Sequence, residues 1–381
     1  MPTNKNQHFV PQFYLRRFSR DKKSISLFRI EDKSVIELAS IKGQCSKSKY
    51  YAQGNGIDDL FKALENGAST ILQRFSENGK VEFLNNSECE RFYLFLATQM
   101  FRTPVSQSNG LQVEEDLIKI VREGAPEGAK LPLELEGLPI DHIGYSRIAI
   151  RLYPQLLDLK ACILVNNSKL DFVTSDCPVV IFNRAGEQNR VSHSIGFSNA
   201  GIIVYYPIDP RCGLLLFDAG MYRTKEFRHG SILANSKDVE GLNRLQVLNA
   251  NEIILFKNSA KVNFPRVYSD LSDKQAKRMK LREFVYSRKT SRGTVYVKPK
   301  TGDHRAVGQS SLVAMSQIPI KAGFALSFLH NKIRPSFVDT GSSAGCQRNP
   351  EFSRIARQYT AAVGDGKAVP LKFFDYLASE G

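Results

Sequence analysis

An α+β fold is what this sequence predicts: a helical N-terminal half packed with a mostly antiparallel sheet, plus a basic C-terminal extension. Three observations carry that reading. Helical spacing of apolar residues dominates residues 58–101. It then gives way to short β-prone runs, ACILVNN, LDFVTSD, PVVIF, GIIVYYPI and CGLLLF, separated by turn residues. Helices and strands thus fall mostly in segregated runs, which suits α+β better than a doubly wound sheet.

The chain opens with HFVPQFYLRRF, His8 to Phe18. Phe9, Val10, Phe13, Leu15 and Phe18 are apolar, so the segment is expected to insert into the fold. Residues 24–38 alternate around an EDK turn and predict a β-hairpin. A polar stretch, CSKSKYYAQGNG, follows. Leu60, Phe61, Leu64, Ala68, Ile71, Leu72 and Phe75 mark a helix from Asp58 to Phe75. Ser87 and Glu90 form a capping-box pattern for the next helix, which Pro104 is expected to end. Further helices are expected near 111–122 and 141–158.

The β-prone runs come next, with GIIVYYPI reading as a buried strand. Asn235 to Asn249 returns to helical spacing, and EIILF is one more strand. Residues 272–289, SDKQAKRMKLREFVYSRK, predict a basic helix with Met279, Leu281, Phe284 and Val285 as its apolar stripe. Extended Gly-, Ser- and Lys-rich runs follow to about 340. The tail beyond 341 keeps clusters such as LKFFDYL and is expected to pack. A boundary between 257 and 290 divides a core of residues 1–256 from a basic region of residues 257–381.

Charge sharpens that division. The chain has 381 residues and a formal net charge of +15. Residues 257–381 hold 22 Lys/Arg against 9 Asp/Glu, while residues 1–256 hold 31 against 29. Such asymmetry points to a polyanion, either nucleic acid or an anionic membrane surface; a solvated basic face is the alternative. No apolar run is long enough to span a bilayer, and no signal peptide is visible. The six cysteines are scattered without a CxxC pair, which argues against a zinc ribbon or disulfide scaffold and suits a reducing cytoplasm. His142, His193, His229, His304 and His330 lack metal-ligand spacing. No Walker A loop, GxGxxG, HExxH or GxSxG occurs, so neither metal nor cofactor is implied.

Four segments stand out together: HFVPQFYLRRF, ATQMFRTP at 97–104, FVTSDCPVV at 172–180 and GLNRLQVLNANEIIL at 241–255. In that order and spacing the chain resembles the bacterial DUF4238 family over residues 7–256. Tyr50 or Tyr51 followed by the helix with Glu65 adds to the likeness. The chain departs at Cys177, where the family more often has Asn, and at Asp59, where Glu is usual. The resemblance implies no settled activity, and the basic region falls outside it.

His8, Gln12, Tyr14, Gln99, Arg102, Asp176 and Asn243 are the right residue types for one catalytic cleft. His would act as acid or base, Asp would orient it, and Arg would clamp a phosphate. Each has a structural alternative. Gln99 and Arg102 suit a helix C-terminus, and Ser175 and Asp176 suit a turn before Pro178. The first functional expectation is a metal-independent ribonuclease of toxin or defence type, because RNA carries its own 2′-hydroxyl nucleophile. The second is a non-catalytic module binding nucleic acid, RNA over DNA, or a protein partner. Its contacts would be Lys274, Lys277, Arg278, Lys280, Arg282, Arg288, Lys289 and Arg292. A nucleotide or phosphosugar enzyme ranks third.

Overall fold

The computed structural model describes residues 6–51, 57–79, 84–109, 148–224, 231–274, 279–290, 293–297, 311–317, 319–340 and 345–380. The chain opens with strand β1 (Asn6–His8), helical turn α1 (Gln12–Leu15) and the expected hairpin, β2 (Ser24–Arg29) and β3 (Val35–Ser40). Strand β4 (Ser46–Ser48) returns to pair with β1, and helices α2 (Ile57–Asn78) and α3 (Asn86–Phe101) follow. The extended block contains β5 (Lys160–Asn166), β6 (Thr174–Ser175), β7 (Val180–Asn183), turn α4 (Arg184–Glu187), β8 (Ile202–Asp209), β9 (Cys212–Phe217), β10 (Tyr222–Thr224) and β11 (Ser231–Ala234). Helix α5 (Ser236–Asn249) and β12 (Ile253–Phe256) follow. Beyond them lie α6 (Phe264–Ser272), β13 (Met279–Thr290), β14 (Gly293–Val297), β15 (Ser311–Gln317), β16 (Leu329–Asn331), β17 (Val338–Asp339), β18 (Cys346–Gln347), α7 (Pro350–Gly364) and α8 (Phe373–Glu380).

The fold is α+β. Its main sheet runs β11-β5-β9-β8-β7, antiparallel except for the β11–β5 pair. Strand β8 shows why the sequence there is apolar without interruption. Ile202, Val204, Tyr206 and Ile208 enter one core, while Ile203 and Tyr205 enter the core on the opposite face. A strand covered on both sides needs apolar residues at every position, because successive side chains alternate. Helices α2 and α3 and the N-terminal segment cover the first face. Helix α5, through Val239, Leu242 and Leu245, covers the second, together with Ala322, Leu326 and Phe328. Each fully buried side chain of this kind contributes about 1.5–3 kcal/mol.

A second sheet, β3-β2-β12-β6, is antiparallel throughout. Tyr14 joins it to the first. Its hydroxyl donates to the Pro207 carbonyl of β8 at 2.7 Å and accepts from the Thr174 hydroxyl of β6, also at 2.7 Å. The carbonyl can only accept, so the single phenolic proton goes there and Thr174 supplies the other. The Tyr14 ring stacks on Tyr206 with centroids 4.9 Å apart. Burial pushes its phenol well above the ordinary range.

Several elements differ from expectation for identifiable reasons. The capping box of α3 is Asn85 with Glu88, two residues earlier than the Ser87–Glu90 pattern. Glu90 faces inward instead, 1% exposed, and accepts from Tyr153 Oη at 2.9 Å. It also accepts from the backbone N–H groups of Phe373 (2.9 Å) and Phe374 (3.1 Å) at the start of α8. Helix α3 stops at Phe101, and Pro104 opens a further helical stretch, 104–109, where a missing N–H costs nothing. The helix expected at 111–122 lies outside the described residues. Of the 141–158 helix, residues 148–152 are helical and a 3₁₀ turn, Tyr153–Leu156, follows.

The basic helix expected at 272–289 is a correction. Helix α6 ends at Ser272, and residues 279–290 form β13, the central strand of a three-stranded antiparallel sheet, β14-β13-β15. Phe284, Val285 and Tyr286 favour a strand, and ladders on both sides outweigh the helix preference of the Lys and Arg residues. Residues after 257 also reach back to the core. Strand β16 pairs with β10. Arg348 donates to Asp158 (2.7 and 2.9 Å) and to the carbonyls of Gln155, Phe197 and Asn199.

Replacing Tyr14 by Phe keeps the ring but leaves the Pro207 carbonyl and the Thr174 hydroxyl without their buried partner. The expected loss is about 1–3 kcal/mol. Urea unfolding checks it, as a lower midpoint with an unchanged slope.

Candidate functional site

The N-terminal segment builds its own polar chain. His8 closes the β1–β4 ladder, opposite Ser46. Its Nδ1 lies 3.1 Å from the Gln44 carbonyl, and its Nε2 lies 2.9 Å from Gln12 Nε2. Gln12 Oε1 accepts from Arg16 Nη2 at 2.9 Å, which fixes the amide orientation. The amide NH₂ therefore donates to His8 Nε2, and the Nδ1 proton goes to Gln44. The partners define a neutral imidazole of one tautomer. Burial holds His8 below the ordinary value of 6.5, and Arg102 and Arg16 act in the same direction. The Gln44 bond and Glu65 oppose them.

Gln99 and Arg102 meet this chain from the end of α3. Gln99 Nε2 donates to the Phe9 carbonyl at 2.9 Å. Its Oε1 accepts Arg102 Nε (3.0 Å) and Nη2 (2.7 Å) as a fork. Arg102 Nη1 pairs with Glu65 of α2 at 2.8 Å, and its guanidinium lies 5.3 Å from the centre of the Phe61 ring. Tyr50 Oη donates to the Arg102 carbonyl at 3.2 Å, and Tyr51 Oη to the His8 carbonyl at 3.1 Å. Gln99 is 1% exposed and Arg102 3%. His8, Gln12, Gln99 and Arg102 are thus brought together with Glu65 and Arg16. Yet Arg102 is a buried clasp among α2, α3 and the N-terminal segment, with its guanidinium committed to Gln99 and Glu65.

Tyr14, Asp176 and Asn243 serve elsewhere. Tyr14 bridges the sheets as described. The Asp176 carboxylate accepts the backbone N–H groups of Asn251 and Glu252, each at 2.7 Å, and so fixes the turn into β12. Asn243 accepts from the Val173 N–H at 3.0 Å and donates to the Asp171 carbonyl at 2.9 Å. Gln246 and Asn249 repeat the pattern every three residues along α5. Gln246 accepts from Ser175 Oγ and donates to the Pro178 carbonyl, while Asn249 donates to the carbonyls of Cys177 and Val179. One helix face thereby pairs the backbone of residues 171–179, which explains why only Thr174–Ser175 of LDFVTSD is strand.

A family model described as "Protein of unknown function (DUF4238)" matches residues 6–260. The chain belongs to this family. No curated protein and no solved structure matches it. Within this DUF4238 chain the four motifs are contact points of the core. The opening segment meets α3 through Gln99, and the Thr-Ser-Asp turn meets α5 and β12. Arg17 was a residue whose role sequence reasoning missed. It donates to the Ile208 and Leu72 carbonyls and pairs with Asp209 at 3.6 Å, tying α2 to β8. Its only signal was the Arg-Arg pair within an apolar segment. Glu65 did have a signal, in its place after the tyrosines.

The eight candidate nucleic-acid contacts, all outside the family span, divide in three. Lys280, Arg282, Arg288 and Lys289 lie on β13, and Arg282 is the extra residue where the register with β15 shifts. Lys274 follows α6 and donates to the Asn251 carbonyl at 3.4 Å. Lys277, Arg278 and Arg292 lie outside the described residues. Among the described residues no group of three or more His, Cys, Asp or Glu is placed to hold a metal ion. None of their helices is long and apolar enough to cross a membrane.

His8 yields a pH prediction. Its folded value is depressed, so the unfolded chain binds the proton first as pH falls. The stability from neutral His8 is complete above about 6.5 and is lost as pH drops below it. Thermal melts between pH 7.5 and 5 are expected to show a smaller drop for His8→Gln than for the parent. Equal drops overturn the assignment. Arg102→Met leaves the Gln99 carbonyl oxygen and Glu65 without their donor. It is expected to cost about 1–3 kcal/mol in urea unfolding.

Proposed function

We propose that this protein binds nucleic acid, RNA in preference to DNA, through the basic strands that follow the family core, with the core as a packed scaffold. One observation carries the reading. Residues 274–305 contain eleven Lys/Arg against two carboxylates, Glu283 and Asp303, and they contain β13 and β14. Phe284, Tyr286 and Tyr296 lie on the same two strands. Sheets that combine cations with aromatic residues suit single strands, since phosphates pair with the cations and unstacked bases stack on the rings. The saturated internal bonding of Tyr14, Asp176, Asn243, Gln99 and Arg102 supports the scaffold role of the core.

A second reading keeps the ribonuclease expectation, and His8 is what favours it. An imidazole held neutral, with Nδ1–H fixed on a carbonyl, is prepared to accept a proton at Nε2 once the Gln12 amide turns away. RNA would supply the 2′-hydroxyl. Arg102, committed to Gln99 and Glu65, supports a phosphate clamp in neither this reading nor the phosphosugar alternative.

Titration of a labelled single-stranded RNA at 50 and 200 mM salt tests the first reading. Neutralising ~6 phosphates of a single strand predicts a loss of about 300-fold in affinity. Reversing Lys280 and Arg282 to Glu is expected to weaken binding at both salts. Salt-insensitive binding, or no effect of the reversal, overturns the sheet as the contact surface. For the second reading, pure protein and a His8→Ala variant are incubated with RNA and DNA. Cleavage of RNA by the parent alone supports it; equal cleavage by both, or none, sinks it.

A further inference from the structure

The core has a nearly neutral total charge that conceals a local imbalance. Residues 1–20 contain no carboxylate, and neither do residues 38–57. These two segments pair as the β1–β4 ribbon, with Gln7 opposite Lys47, His8 opposite Ser46 and Asn6 opposite Ser48. The fold therefore brings together two acid-free stretches distant in sequence. Lys42, Lys47, Lys49 and Arg16 are exposed there. Arg16 bonds only the neutral Gln12 amide, and no ion pair holds any of the four among the described residues. Of the acids near the ribbon, Glu65 faces the buried Arg102, Asp176 is held by the N–H groups of Asn251 and Glu252, and the exposed Glu252 acts on Cys45.

The ribbon is also held in a fixed shape. Gln44, between Lys42 and Lys47, receives the His8 proton, and Phe9 N–H bonds the Cys45 carbonyl at 2.9 Å. Cys45 and Lys49 both adopt φ of 51°, a left-handed conformation that non-glycine residues rarely take. Tyr50, half-buried, follows directly. Unpaired cations at a desolvated imidazole, with an aromatic ring beside them, match the phosphate backbone of a nucleic acid strand.

We infer that this ribbon, through Arg16, Lys42, Lys47 and Lys49, is a second RNA-binding surface, separate from the β13 sheet and seated on the family core itself. The inference shares its ligand with the proposed function but rests on different residues.

The experiment measures binding of a fluorescent single-stranded RNA 20-mer to the full chain across a salt series. One variant carries Lys42→Gln, Lys47→Gln and Lys49→Gln. A control carries the same changes at the exposed Lys33, Lys237 and Lys367. Circular dichroism verifies folding, and the conservative Lys→Arg triple provides rescue. Losing three phosphate contacts predicts a fall of about 2 in the slope of log affinity against log salt. That fall in the ribbon variant, absent from the control and restored by Arg, supports the inference. An unchanged slope overturns it, as does an equal fall in the control. If the Lys280/Arg282 reversal abolishes binding while the ribbon variant binds normally, the sheet stands and the ribbon falls. The opposite result leaves the ribbon and removes the sheet. Loss of binding to phosphatidylserine vesicles with RNA binding intact overturns the ribbon as an RNA surface.

Discussion

The Tyr14 hydroxyl is the contact on which the arrangement of this core depends. One proton and one lone pair on a single buried oxygen join β8 of the main sheet to β6 of the second. The residue reaches that position because the N-terminal segment is threaded beneath helices α2 and α3. Arg17, three residues on, ties the same segment to α2 and to the end of β8. An N-terminus is commonly the loosest part of a domain. Here residues 9–18 lie at the junction of both sheets and the helical layer, so the order of this segment and the order of the core are one property.

The same economy governs the other polar residues. Buried polar groups are tolerated when each finds partners, and this core uses side-chain amides to supply them. Asn243, Gln246 and Asn249 replace a strand partner along residues 171–179. Gln99 bridges a carbonyl and a guanidinium. A constellation that resembles a catalytic set in sequence is, for the most part, the internal bonding of an α+β core. His8 differs because it is half-buried and its ring is held by one movable side chain, Gln12, and one carbonyl. It is also the member that lies in the acid-free ribbon.

Much of the fold was legible in the sequence. Helices α2 and α5 follow from apolar periodicity, the hairpin at 24–38 from alternation around its turn, and the doubly buried strand β8 from an unbroken apolar run. The site was legible only in part. Four of the seven residues meet, and that meeting was encoded in motif order rather than in spacing. Tyr14, Asp176 and Asn243 were misread because side-chain types do not reveal which backbone groups they satisfy. Strand β13 was misread for a related reason. Its Lys and Arg residues favour a helix locally, and the ladders that override them come from residues 293–297 and 311–317. The capping box shifted because Glu90 has a partner nearly three hundred residues away.

That last contact also decides where the C-terminal helix docks. Glu90 lies within the span that the family model matches, whereas the N–H groups of Phe373 and Phe374 lie beyond it. A carboxylate sealed in apolar surroundings is tolerable only with donors in place. Tyr153 supplies one donor from within that span, and the start of α8 supplies the other two. The carboxylate at position 90 thus serves as a keel for the C-terminal helix: the start of α8 is moored to a residue inside the span that the family model matches.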